Sequence, residues 1–251
     1  MIATARSEWL KLRTVRVHLV MTVIAVAFPL LVVVLSTGLT SSPTVFGDRG
    51  FTELVTGVAL VTVLLLGTVA AISLTGEYSH GTIRPTYAAT PSRPRVVVAK
   101  WLVCSIAVAS VAAIVLAITW ALGATVLSSR DASVELSWAD GTIGALIALV
   151  VLAVVLAWFA LSIALVVRNA PAAVTLLLVW PLLVENLLSG LGVLIGISWL
   201  PRWMPYQAAI GAVQPSPGAD TLGRPLALIW FGAVSLVLLA LGVLLERRRD
   251  A

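Results

Sequence analysis

Sixteen Lys and Arg residues punctuate this chain, and between them lie six long stretches almost free of charge. About 20 consecutive apolar residues suffice to cross a bilayer as a helix, the one open-chain structure that satisfies its own backbone there. With the first end placed in the cytoplasm and one crossing per stretch, twelve basic residues fall inside. They are Arg6, Lys11, Arg13, Arg16, Arg84, Arg93, Arg95, Lys100, Arg168, Arg247, Arg248 and Arg249. Only Arg49, Arg130, Arg202 and Arg224 fall outside. An excess of Lys and Arg on cytoplasmic loops is the rule for inserted helices. The expected fold class is therefore all-α: a polytopic membrane protein of six transmembrane helices with both ends in the cytoplasm.

Composition supports one membrane unit over residues 1–251. Hydrophobic residues make up 60% of the chain and charged residues 11%, against roughly half and a quarter in soluble domains. Six spans of about 20 residues use about half the length, which leaves little for a soluble domain. The net charge of +5 is no nucleic-acid signal, because the basic residues stand at span ends, where they meet lipid headgroups. Arg outnumbers Lys fourteen to two, which suggests a GC-rich bacterial genome and hence a bacterial cytoplasmic membrane. The apolar run from Val17 to Leu35 exceeds the h-region of a signal peptide and is read as a retained first span.

What the spans lack narrows the class. Their cores carry no acidic or basic residue apart from Glu185, expected near the outer end of span 5. Ion-coupled carriers place ionisable groups at mid-membrane, so that class is disfavoured. One cysteine, Cys104, and two histidines, His18 and His80, supply neither a metal site nor the paired groups of an intramembrane protease. Neither lysine follows a glycine run, so no phosphate-binding P-loop is present. Any ATP would be hydrolysed by another polypeptide.

The soluble-facing segments carry the remaining information. On a helix over 1–17, Arg6, Trp9, Arg13 and Arg16 share a face, as expected of an interfacial helix with Trp9 among headgroups and the arginines at phosphates. Span 1, from His18 to Gly38, holds Phe28 and Pro29, the latter a kink. Spans 2, 3 and 4 are expected at 54–75, 101–127 and 142–167. Arg168 and Asn169 form a short inner turn before Pro171 opens span 5. Past span 5, glycines at 190, 192 and 196 and prolines at 201 and 205 predict an external re-entrant hairpin over 186–206, with Gly192 and Gly196 as a close-packing pair.

The inner loop at 76–100 has helix punctuation. Thr82 is placed to cap a helix opening at Ile83, Pro85 falls in its tolerant first turn, and Pro91 stops it one residue earlier. Arg84, Thr86 and Tyr87 ride on that two-turn helix. Arg93, Arg95 and Lys100 are expected at headgroups or on an acidic partner. A short rigid helix held between two spans is suited to passing force from a soluble partner into the membrane.

Glu77, Gly81-Thr82, Pro91, Arg93 and Lys100 fall in the order found in the loop between spans 2 and 3 of small six-span ABC exporter permeases of the second exporter type. Ser7-Glu8-Trp9-Leu10-Lys11-Leu12-Arg13-Thr14 resembles their lead-in. The chain thus resembles that family in layout over most of its length and in motif over about thirty residues. The resemblance implies a permease with no nucleotide site of its own, paired with a second permease copy and docked on two ABC ATPase subunits that hold ATP and Mg. It implies that the surface helix and the loop helix (Glu77, Gly81, Thr82, Ile83, Arg84, Pro85, Thr86, Tyr87, Pro91, Arg93) couple to the ATPase. Glu77 would orient that helix or meet a basic group such as Arg13 or Arg16. Apolar walls favour a hydrophobic or amphipathic cargo, a drug, lipid or peptide antibiotic, with Phe28 and Pro29 lining its path. The alternative reading is a non-transport membrane scaffold or sensor, which needs no ATPase.

Overall fold

The computed structural model describes residues 2–89, 93–139, 141–218 and 221–248. Six helices are long and apolar enough to cross a membrane, and the described residues contain no strand. A short helix α1 (Ile2–Thr14) leads into α2 (Arg16–Leu39) through extended Val15. Then follow α3 (Gly47–Ser79), the small loop helix α4 (Ile83–Ala89), α5 (Arg93–Ser128) and α6 (Thr142–Val167). Span 5 is α7 (Ala170–Val179) and α8 (Glu185–Leu194), joined by a π-helical turn. Two short helices, α9 (Leu200–Trp203) and α10 (Pro205–Val213), precede the last span, α11 (Arg224–Arg248).

Helices α3 and α6 form the centre of the bundle. α6 is apolar on every side and has no charge, the pattern of a helix surrounded by others, and Leu152, Ala153, Leu156, Ala157, Ala160 and Ala164 along it are buried. Its alanines allow close approach, and α3 and α11 pack on it while α2 packs on α3. Gly67 of α3 lies where a Cβ would stand 3.3 Å from Leu156 of α6. Polar side chains stitch the interfaces: Thr62 Oγ1 donates to the Ala25 carbonyl (2.8 Å), and Ser162 Oγ to that of Ser235 (3.0 Å). By contrast α2, span 5 and α11 bury only about a fifth of their apolar windows, leaving their outer faces to lipid or to another chain.

Helices run past the apolar stretches that define the spans. The expected second and third spans, 54–75 and 101–127, are the middles of helices of 33 and 36 residues. At about 1.5 Å per residue these are longer than the ~30 Å hydrocarbon core. Glu77 and Lys100 lie in the parts of these helices outside those apolar stretches.

Two external arginines clasp the outer ends. Arg130 donates to the carbonyls of Thr37, Gly38 and Thr40 at 2.6–2.9 Å, filling acceptors left open where α2 ends. Arg224 donates to Gly141, Gln214 and Pro215 carbonyls at 2.6–3.1 Å. These residues were expected only as the outer minority of the charge pattern.

Residues 186–206 hold a chain reversal, in which α9 folds back on α8. Span 5 stays helical to Leu194, and Gly196, at φ +83°, makes the turn. The chain returns through α9 and then rises as α10 to Val213. Gly192 and Gly196 do not pack two spans together: Gly192 receives Leu200 of the same hairpin, and nothing approaches Gly196 within 4 Å. Pro181, lacking an N–H, falls in the π turn Trp180–Val184, the usual accommodation of an interior proline.

That turn presents Glu185, toward the outer end of span 5 as expected, but buried within the bundle at 1% exposure. Glu185 lies about 22 Å along the helix from Ala170. Its Oε2 accepts from the backbone N–H groups of Tyr206 (2.9 Å) and Gln207 (3.0 Å), and its Oε1 from Trp180 Nε1 (3.0 Å). The carboxylate thus caps the first turn of α10, whose positive helix end favours it. Tyr206 in turn packs on Phe231, which packs on Phe159 of α6.

A Cβ at Gly123 of α5 would stand 2.6 Å from the buried Phe51 ring and 2.7 Å from Val33. Gly123→Ala is expected to lose about 1–3 kcal/mol by overpacking, read as a lower unfolding temperature in detergent. Gly57→Ala, with nothing within 4 Å, is the matched control and should be near neutral.

Candidate functional site

Four charged side chains converge where α1, α3 and α5 meet at the cytoplasmic end. Glu8 and Lys11 come from α1, Glu77 from the last turn of α3 and Lys100 from the second turn of α5. Glu8 is 2%, Glu77 6% and Lys100 2% exposed, whereas Lys11 is on the rim. Lys11 Nζ bridges Glu8 Oε1 (2.6 Å) and Glu77 Oε1 (2.9 Å). Lys100 Nζ bridges Glu8 Oε2 and Glu77 Oε1 (2.9 Å) and donates to the Ser73 carbonyl (3.1 Å).

The stoichiometry explains why such a group can be buried. Two carboxylates and two ammonium groups cancel, and an ammonium has three donors and no acceptor. Lys100 uses all three on Glu8, Glu77 and Ser73. The chain's two lysines are both here, while its fourteen arginines lie elsewhere. A compact ammonium at the end of a flexible stem fits a crowded helix junction that a planar guanidinium does not. Glu77 Oε2 is buried with no hydrogen-bond partner among the described residues.

The cluster refines two expectations. Lys100 turns inward onto two carboxylates and a carbonyl of its own chain, not onto headgroups or an acidic partner. Glu77 does meet basic groups, but they are Lys11 and Lys100 rather than Arg13 or Arg16. Glu8 stands in the lead-in motif, but the sequence assigns it no role. Its one local signal was the i, i+3 spacing from Lys11, and its decisive partner lies 92 residues away.

The loop helix hangs from the same end of α3. His80 N donates to Gly76 O (3.0 Å) and Gly81 N to Tyr78 O (3.2 Å), and Gly81 at φ +67° turns the chain. A left-handed residue after the last turn is a common helix ending and favours glycine. α4 then begins at Ile83 as expected. Thr82 uses its hydroxyl differently, donating to the Glu77 carbonyl at 3.4 Å, while Thr86 Oγ1 donates to Thr82 O (3.0 Å). Ile83, 4% exposed, is the apolar anchor of α4, and Pro85 is exposed. The side chains of Arg84, Tyr87 and Arg93 lie outside the described residues, as do Thr90 and Pro91 entirely. Arg93 opens α5, and Arg95 is exposed on it.

Tyr78, next to Glu77, receives Arg168, whose guanidinium lies 5.0 Å from the ring centre. Arg168 is the left-handed residue (φ 54°) that ends α6, and Asn169 Oδ1 accepts from Ala172 N (3.0 Å) to cap α7. The inner end of α3 thus touches α1, α4, α5 and the α6–α7 turn.

On α1, Arg6, Trp9 and Arg13 share the exposed face, as their spacing predicted, and Glu8 occupies the buried one. Arg16 belongs instead to α2, beyond the break at Val15. Phe28 of α2 is exposed and Pro29 is buried within the bundle. Among the described residues no group of three or more His, Cys, Asp or Glu could hold a metal ion.

Burial works to raise the Glu8 carboxyl, but the Lys100 ammonium and then Lys11 outweigh it and hold the group below its ordinary value. A carboxylate held down in the fold stabilises it above the unfolded pKa, and that contribution is lost as pH falls through the folded value. Melting temperature in detergent should therefore drop on acidification below the ordinary carboxylate range. Glu8→Gln should flatten that acid limb, because it has no proton to gain. An acid limb as steep in Glu8→Gln as in the unaltered protein would remove Glu8 as its source.

The family model of the ABC-2 family transporter proteins matches residues 5–183. That stretch contains α1, the four-charge cluster, α4 and the first four spans. No curated protein matches the chain significantly. The match spans well over half of a chain with six membrane-length helices, and on that ground the chain belongs to the ABC-2 transporter family, as a multi-pass membrane permease.

Proposed function

We propose that this chain is the permease subunit of an ATP-driven exporter of the bacterial cytoplasmic membrane. Two copies, or one copy and a different permease, would pair and dock on two ABC ATPase subunits. Those subunits would hold ATP and Mg and carry out all the hydrolysis. The cargo would be hydrophobic or amphipathic, a drug, lipid or peptide antibiotic, with Phe28 on the exposed face of α2 beside its path.

The observation that carries this reading is the attachment of α4. Its anchor runs through Gly81 and the Thr82–Glu77 contact to a residue ion-paired with both α1 and α5. A push on α4 would reach three membrane-associated helices at once. Closure of the ATPase pair on ATP would favour one arrangement of these helices and nucleotide release the other. Cargo would move because it binds the two arrangements unequally.

Replacing residues 83–89 with a Gly/Ser linker in the purified complex should uncouple the two activities. The six spans should insert as before, while cargo-stimulated ATP hydrolysis and transport are lost. Full transport with the linker would reject the coupling role. Purification from the native membrane without any P-loop partner would reject the ATP-driven reading and leave a scaffold or sensor in its place.

A further inference from the structure

An apolar cleft opens between α1, α2, α3 and α5, beside the charge cluster and distinct from it. It has a volume of about 150 Å³, and carbon dominates its walls. Leu66 and Ala70 of α3 and Cys104, Ala107 and Val108 of α5 line its floor. From Cys104 to Val111, its deepest lining residue on α5, the helix advances about 10 Å, most of one leaflet of a ~30 Å hydrocarbon core.

The mouth has different chemistry. Trp9 and Arg13 of α1 stand there, both exposed. Among the described residues no carboxylate pairs with Arg13; the ion pairs nearby engage Lys11 and Lys100. A tryptophan and a free cation over a greasy slot complement an amphiphile with an anionic head and an apolar tail. Soluble anions leave the slot unfilled, and neutral hydrocarbon leaves Arg13 unmatched.

We infer that this cleft is a binding site for one anionic phospholipid of the adjoining leaflet, its phosphate on Arg13 and one acyl chain between α3 and α5. The lipid seats α1 against the bundle at the place where α1 also enters the charge cluster. The inference rests on the membrane-spanning reading and not on ATP coupling.

Native mass spectrometry of the full chain released from nanodiscs tests it. The discs would contain equal amounts of phosphatidylglycerol and phosphatidylcholine. The unaltered protein should retain one phosphatidylglycerol per chain in preference to phosphatidylcholine. Arg13→Gln, an exposed change that leaves folding intact, should cut that preference about fivefold, as one surface cation near anionic lipid is worth. Ala107→Trp should fill the slot and abolish retention of either lipid. Unchanged phosphatidylglycerol preference in Arg13→Gln would overturn the headgroup assignment and with it the proposal, whether or not Ala107→Trp folds. Absence of retained lipid on the unaltered protein would overturn it too. Neither result would touch the ATPase partnership.

Discussion

The arrangement depends on one buried electrostatic junction. Lys100 sits out of water with its three donors on Glu8, Glu77 and Ser73, and Lys11 closes the ring from the rim. Ion pairs of this kind add little net stability, because desolvation offsets attraction, but breaking one partner leaves an uncompensated buried charge. Their value is therefore registry. With α1, α3 and α5 meeting at one set of charges, any slip between them strands a carboxylate or an ammonium. The turn into α4 and the α6–α7 turn then attach to Glu77 and Tyr78, so this end of the bundle behaves as one hub.

A second buried carboxylate plays the corresponding role in the external half. Glu185 holds the start of α10 through two backbone N–H groups and Trp180 through its indole. The proline that breaks the regular ladder of span 5 lies four residues before it. The π turn thus both relieves Pro181 and presents Glu185 to the hairpin. In a membrane protein such irregular backbone persists only where protein covers it, and the packing of Tyr206 against Phe231 supplies that cover. Glu185 and, in the first junction, Glu8, Glu77 and Lys100 are buried in protein, with only Lys11 on the rim.

Much of this fold was legible in the chain, for reasons of scale. Apolar runs and basic flanks report on insertion into a slab, a one-dimensional problem, so span 4 was readable as 142–167 and agrees with α6. Local punctuation gave the start of α4 at Ile83 and the Arg168-Asn169 turn before Pro171. What was not legible depends on partners far apart in sequence. Nothing near Lys100 says that Glu8 lies against it, so its neighbours in sequence point only to headgroups or an acidic partner, not to a carboxylate 92 residues away. Helix ends were underestimated wherever polar residues found protein partners and the helix continued past the membrane. The chain reversal at Gly196 is legible from its glycines and prolines, whereas the contact of Glu185 with the start of α10 is not, because those partners lie 21 and 22 residues away.

The most direct measurement is a double-mutant cycle across the junction. Glu77→Gln, Lys100→Met and the pair together would be compared with the unaltered protein by thermal unfolding in one detergent. Each single change should be strongly destabilising, Lys100→Met by about 3–5 kcal/mol because it strands Glu8 and Glu77. The double variant should fall well short of their sum, with a coupling of at least about 1 kcal/mol. Additive losses would mean that Glu77 and Lys100 act independently, and that the inner ends of α3 and α5 are not joined through this cluster.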